Sequence, residues 1–318
     1  MLERVLRPNI VVLFIMGGNI AIFGIQNTYR MKFYIVDCFA EAKYQGNPLA
    51  VLIPDRPVSD AEMLRIAIEI GFSETTFIMS GRQADGGYDV RIFTTSCEVP
   101  FAGHPTLGTA YVIREMLEGG RPSRVLLNLR AGQIPVDFAL DGMGVMTQNQ
   151  PVFGEILPRN AAVAAVSLSE DDVRDDFPVQ WVSTGLEAVI TPLRSVEALE
   201  RCRVNYDERQ RFIDRHYACS LLYFVPMPDG SLRVRVFMED PGFLEDPATG
   251  SANGDLACWL LRHGFFGGAR SLSYTVSQGS EMGRPSRLHV EASYDAAGGL
   301  YSTRVGGRVF VVAEGEWR

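Results

Sequence analysis

Two short turns in the chain carry residue types suited to holding an anion. Ala102-Gly103-His104-Pro105-Thr106 and Ala248-Thr249-Gly250-Ser251-Ala252-Asn253 each follow a strand-like segment, Arg91-Ile92-Phe93 and Arg235-Val236-Phe237, and an acid-containing loop. Each leads into an apolar-periodic stretch, running through Leu117 and Leu261. A helix start leaves backbone N–H groups unpaired and carries the positive end of the helix dipole, while Gly, Ala and Ser let a ligand approach the backbone. Two such starts facing one another would grip a carboxylate without any lysine. Either turn alone reads as an ordinary strand-to-helix connection. Repetition of the whole plan within one chain, with ionisable residues beside both copies, tips the reading toward function.

Composition narrows the chemistry further. Of 30 Lys+Arg only Lys32 and Lys43 are lysines, and neither sits in a Gly-rich loop, so Schiff-base and phosphate-loop chemistries have few candidates. Cys38, Cys97, Cys202, Cys219 and Cys258 are odd in number and lack C-x-x-C spacing, the pattern of reduced thiols in a cytoplasmic protein. His104, His216, His263 and His289 lie far apart, so no metal site is expected. The net charge of -8 argues against nucleic acid and anionic membrane as partners and for a small-molecule enzyme. With 318 residues, 47% of them hydrophobic, the chain can bury one large core or two moderate ones.

The elements that must position those turns are short. Phe33-Val36, Ala50-Ile53, Thr76-Met79 and Asp89-Phe93 read as strands from β-branched and aromatic content, giving an α+β or α/β pattern. A helix lies between the second and third: Ser59 and Glu62 form a capping-box signature, Met63, Leu64, Ala67, Ile68 and Ile70 supply apolar residues, and Gly71 stands just past the end. Ser73 and Glu74 therefore sit at a helix-to-strand junction. In the repeated units Pro105 suits a first helical turn, Ser251 suits a start where a side-chain oxygen meets free N–H groups, and Gly264 suits an end. Two related halves follow, each with a central helix. Asp171, Asp172, Asp175 and Asp176 read as a solvated helix face, and His216, His263 and His289 as structural or surface residues.

Residues 1–30 stand apart: a weakly basic start leads into the apolar run Ile10 to Ile25, broken by Gly17, Gly18 and Asn19. It resembles a signal peptide, yet it is short for a membrane span and lacks a small-x-small cleavage site. Met31 then opens a well-formed strand, so residues 1–30 are expected to be a leader outside the fold, an over-extended reading frame.

Five motifs in order resemble the phenazine-biosynthesis PhzF-like isomerases: Gln45-Gly46-Asn47-Pro48-Leu49-Ala50, Ser73-Glu74-Thr75-Thr76-Phe77, Pro100-Phe101-Ala102-Gly103-His104-Pro105-Thr106, Glu245-Asp246-Pro247-Ala248-Thr249-Gly250-Ser251-Ala252, and Gln278-Gly279 with Gly283-Arg284-Pro285-Ser286. The resemblance implies an α+β fold of two similar domains, each a curved mixed β-sheet wrapped around a central helix, as in diaminopimelate epimerase. The active site would lie in the cleft between them, in a homodimer. The expected division is 31–145, which a returning strand 306–318 would join, and 146–305. The resemblance also implies Glu74 as general acid/base with Asp246 and His104 as hydrogen-bonding or proton-relay partners. Ser73, Gly103, Gly250 and Ser251 would hold a small carboxylate substrate, with no metal or organic cofactor.

For that role Glu74 must spend time protonated near neutral pH, through burial among Phe72, Phe77 and Ile78 or a second carboxylate at Asp246. Asp246 reads alternatively as a turn initiator before Pro247, and His104 as a helix-start capping group that the dipole keeps neutral. Arg284 reads equally as a ligand for a substrate anion or a brace within its turn. Asn47 reads as a turn residue. Ala102 and Ala248 occupy the places of the two epimerase thiols, which disfavours a two-cysteine mechanism. Two other functions remain open: a small-carboxylate binding protein without catalysis, and a thiol-dependent racemase using Cys97 or Cys258.

Overall fold

The computed structural model describes residues 11–16, 19–24, 30–216, 220–238 and 243–318. Within the leader, Val11–Met16 pairs antiparallel with Asn19–Gly24; among the described residues neither strand joins the main sheet. The remainder of the expectation for residues 1–30 lies outside the described residues.

One mixed sheet runs through the rest of the molecule. In the first half the order across it is Val309–Trp317, Met31–Cys38, Asn47–Pro54, Glu74–Ile78, Gly87–Thr94, Arg124–Leu129, Gly132–Phe138 and Gly144–Thr147. Gly144–Thr147 then pairs with Leu300–Gly307, which begins the second half. That half continues through Ser286–Asp295, Ser271–Gln278, Leu232–Met238, Ser220–Pro226, Glu187–Pro192, Val179–Ser183 and Val152–Leu157. The two halves share one plan, including parallel pairs at matching places: Asn47–Pro54 with Glu74–Ile78, and Glu187–Pro192 with Ser220–Pro226.

Each half wraps a helix. The first, Gly103–Val112, is buried along nearly its whole length and widens into a π-turn over Ile113–Leu117. The second, Gly250–Arg262, is buried from Gly250 through Leu260. A helix enclosed on all sides has no use for an amphipathic stripe, and small residues dominate both starts because strands and the opposite helix press on them. A Cβ on Gly108 would meet Cys38 Sγ and Leu49 at 2.6 Å, so only glycine fits there. Leu107, Ala110, Leu256 and Trp259 join one continuous core with Val36, Val51, Val236 and Val305. The expected capping helix occurs as Asp60–Ile70, with Ser59 Oγ accepting from the Glu62 N–H at 3.3 Å and Gly71 left-handed at φ 71°. Glu62 turns its own carboxylate to Arg65 at 3.1 Å, so only half of the box forms.

The acidic cluster after Ser169 is not a helix face. Glu170–Asp172 is a single short turn, and Asp172, Asp175 and Asp176 pair with Arg201, Arg194 and Arg174. His263 is structural, its Nε2 2.7 Å from Gln180 Oε1 and its ring against Trp259. His289 is half-buried on the outer sheet face, and the His216 side chain lies outside the described residues. No helix among the described residues is long and apolar enough to cross a membrane.

Candidate active site

The two central helices meet start to start. A Cβ built on Gly103 would lie 3.5 Å from the Ser251 backbone nitrogen and 3.7 Å from Gly250 Cα. Ala102 and Thr249 occupy the cap positions, and neither gives the helix a side-chain cap. Both first turns, whose leading N–H groups have no partner within their own helix, thus lie side by side. Ser251 is the second residue of its helix rather than its cap, so its N–H as well as its hydroxyl is available.

The same ion pair ties down the loop ahead of each start. Arg91 grips Glu98 through two hydrogen bonds of 2.8 and 2.6 Å, and Arg235 grips Glu245 through two of 2.8 Å. Both guanidinium groups also sit over the phenylalanine two residues on, 5.1 Å from the Phe93 ring and 4.9 Å from that of Phe237. Bidentate pairs of this kind fix geometry as well as charge. The duplicated Arg-x-Phe pattern therefore encodes the brace that aims each helix start.

Glu74 opens the strand Glu74–Ile78, and alternation decides where it points. Thr76 faces inward, 2.8 Å from Thr109 on the first helix, so Glu74 two residues earlier shares that face. Its side chain is 19% exposed and its Oε2 lies 3.5 Å from His104 Nε2. Burial lifts its pKa to about 7. Asp246, in the short strand before the second helix, rises to about 8 through burial and the Glu74 charge, against hydrogen bonds from Thr249 and Asn47. Two coupled carboxyl groups near neutrality share protons as a pair. His104 is pulled down to about 3 by burial, and its place in a first helical turn further disfavours a positive ring, so it is neutral.

Contacts from far along the chain complete the site. Asn47 is fully buried, and its Nδ2 lies 2.7 Å from Asp246 Oδ1, 3.1 Å from His104 Nδ1 and 3.2 Å from the Ala248 carbonyl. The reading of Asn47 as a turn residue missed this bridge. Thr249 Oγ1 donates to Asp246 Oδ2 at 2.5 Å, and Gln278 Nε2 donates to Thr249 Oγ1 at 3.0 Å and to the Asp246 carbonyl at 2.8 Å. Gln278 lies in a motif already singled out, but no local signal assigned its partner.

Among the described residues, four buried polar atoms at this place have no hydrogen-bond partner: Asn47 Oδ1, Ser73 Oγ, Glu74 Oε2 and His104 Nε2. Buried polar atoms are nearly always satisfied, and a cluster of bare ones marks a place for a ligand. A cavity of about 420 Å³ opens beside them, lined by Ser73 and Pro247, the chain neighbours of the two carboxyl residues, together with Tyr44, Phe72 and Arg284. Arg284 is held as a brace: it donates to Asp37 Oδ1 at 2.6 Å and to the Gln45 and Gly46 carbonyls at 2.8 and 2.9 Å. Neither thiol raised for racemase chemistry stands at a helix start. Cys97 is an exposed loop residue, and Cys258 is buried inside the second helix, 3.2 Å from Thr303 Oγ1. Among the described residues no group of three His, Cys, Asp or Glu is placed to hold a metal ion.

A doubled sheet-and-helix arrangement with two central helices meeting start to start defines an epimerase-like fold, and solved structures agree on that fold. A PhzF family protein from Bacillus anthracis superposes with a TM-score of 0.82 at 24% identity, over 91% of this chain and 99% of that one. A predicted epimerase from Pseudomonas aeruginosa does so at 0.74 and 32% identity, over 90% and 99%. The phenazine biosynthesis-like family model matches residues 36–315, and the chain belongs to that family. The trans-2,3-dihydro-3-hydroxyanthranilate isomerase of Pseudomonas aeruginosa is 34% identical over 294 residues, 89% of this chain and 98% of that protein. An uncharacterized isomerase of Pasteurella multocida is 32% identical over 89% of this chain and 93% of its own length. These relatives place the chain among the isomerases.

Proposed function

We propose that the protein is a cofactor-independent isomerase that moves a proton between carbon atoms of a small carboxylic acid bound between the two helix starts. Glu74 is the acid and base. Its pKa of about 7 lets it give up and take back a proton with nearly equal ease at neutral pH. The substrate carboxylate lies against the N–H groups of Gly103, Gly250 and Ser251, where uncapped helix starts supply donors and positive potential. Ser73 Oγ hydrogen-bonds the body of the substrate, His104 Nε2 steadies the Glu74 carboxyl group, and Asp246 is the second carboxyl of the proton-sharing pair. The pathway relative acts on trans-2,3-dihydro-3-hydroxyanthranilate, and an acid of that size is the first substrate to test. As folding units we propose residues 31–145 with the returning strand 306–318, and residues 146–305, acting as a homodimer in the cytoplasm.

The observation that carries this reading is the cluster of bare polar atoms at Ser73, Glu74 and His104 beside two uncapped helix starts. Turnover in heavy water tests it. The native protein should place deuterium on a substrate carbon, and Glu74→Gln should abolish that uptake while ligand binding persists. Undiminished exchange in Glu74→Gln ends the assignment of Glu74, and binding without exchange in the native protein leaves a binding protein.

A further inference from the structure

We infer that Asn47 is a positioning residue that locks His104 as the neutral tautomer with its proton on Nε2, so that the imidazole donates a hydrogen bond toward Glu74 and does not pass a proton between its two nitrogens. The tautomer follows from the network alone; its consequence for proton transfer rests on the reading of Glu74 given above.

The orientation of the Asn47 carboxamide is fixed by its neighbours. Its nitrogen faces the Asp246 Oδ1 carboxylate oxygen at 2.7 Å and the Ala248 carbonyl oxygen at 3.2 Å. Turned over, its own oxygen would oppose the Ala248 carbonyl oxygen, two acceptors with no proton between them. The group offered to His104 Nδ1 at 3.1 Å is therefore an N–H, which has hydrogens to give and no lone pair to receive one. Nδ1 must accept, and a neutral ring then carries its proton on Nε2. Nε2 lies 3.5 Å from Glu74 Oε2, and among the described residues neither atom has another partner.

Asp246 is anchored in turn. Gln278 Nε2 donates to Thr249 Oγ1, so the Thr249 hydroxyl proton is free to point at Asp246 Oδ2. With Asn47 on Oδ1, both oxygens of Asp246 accept. Glu74 Oε2 has only the imidazole N–H before it. The charged groups facing the ring are Glu74 directly and Asp246 through Asn47; the Cys38 thiol meets only the His104 carbonyl. A relay through the ring needs a proton on Nδ1, where Asn47 presents a donor. His104 thus orients the Glu74 carboxyl group, leaving its other oxygen to carry the mobile proton.

Imidazole nitrogen NMR on the full chain labelled with ¹⁵N-histidine tests this, with the His104 signals assigned by their loss in His104→Gln. In the resting native protein the proton should be on Nε2 from pH 5 to 9, with the other tautomer at least about tenfold less populated, the worth of one buried hydrogen bond. Asn47→Ala should reduce that excess by about tenfold, and Asn47→Asp, which supplies an acceptor, should move the proton to Nδ1 or protonate the ring. A native ring with its proton on Nδ1, a native imidazolium at pH 7, or an unchanged tautomer ratio in folded Asn47→Ala would each overturn the inference. Should the variants not fold, the native spectrum alone decides. No substrate is present, so loss of the catalytic reading leaves this result standing, and the reverse also holds.

Discussion

Replacing Glu74 by glutamine should stabilise the protein at alkaline pH and leave it nearly unchanged at acid pH. The folded state holds the Glu74 proton up to about pH 7, whereas an ordinary glutamate releases it at 4.5. Between those values the folded state binds more protons than the unfolded chain, so stability present below pH 4.5 is withdrawn as the pH rises. At 1.36 kcal/mol for each tenfold step, the loss amounts to about 3 kcal/mol by pH 8. Glutamine fills the same space without ionising and escapes that loss. Removing the Glu74 charge also relieves Asp246, which acts in the same direction. Urea midpoints of both proteins at pH 5 and pH 8 measure the effect. The variant should exceed the native protein by less than about 1 kcal/mol at pH 5 and by about 3 kcal/mol at pH 8. A difference independent of pH, or one that favours the native protein at pH 8, would show that Glu74 is ordinary in the folded state and refute its use as a proton carrier at neutrality.

Three further outcomes follow from particular contacts. In Glu74→Gln the Asp246 carboxyl, followed by ¹³C NMR, should titrate below its native value of about 8, because one of the charges raising it is gone. Gly103→Ala should gain roughly 0.5–1 kcal/mol of helix stability yet weaken carboxylate binding by about tenfold or more, since its methyl would sit 3.5 Å from the Ser251 nitrogen; binding calorimetry and denaturation read the two effects separately. Glu245→Ala should destabilise by about 3–5 kcal/mol, leaving Arg235 charged and only 4% exposed without its partner. Its counterpart Glu98→Ala should lose only about 1 kcal/mol, as Arg91 is 25% exposed and keeps Asp60. Equal losses in the two halves would contradict the role assigned to burial.

What the sequence made legible was local in the chain. The two helix starts were readable because tight approach of backbone to ligand demands Gly, Ala and Ser, and because apolar residues followed them immediately. The Arg-x-Phe repeat was readable as a repeat, though its purpose was not: the partners Glu98 and Glu245 are 7 and 10 residues away, on strands that must first pair. Asn47 was misread because its partners lie 57 and 199 residues distant, and a Gly-Asn-Pro triplet signals a turn whatever its side chain does. The acidic run at Asp171 to Asp176 looked like one helix face. Each of three acids instead answers a different arginine, an arrangement set by tertiary packing and invisible to periodicity.

The most direct measurement is a crystal structure of the Glu74→Gln variant soaked with trans-2,3-dihydro-3-hydroxyanthranilate. The ligand carboxylate should accept hydrogen bonds from the backbone at Gly103, Gly250 or Ser251, with a proton-bearing carbon against the side chain at position 74. A ligand whose carboxylate lies on Arg284 in the neighbouring cavity, with the helix starts left unengaged, would contradict the placement of the reaction.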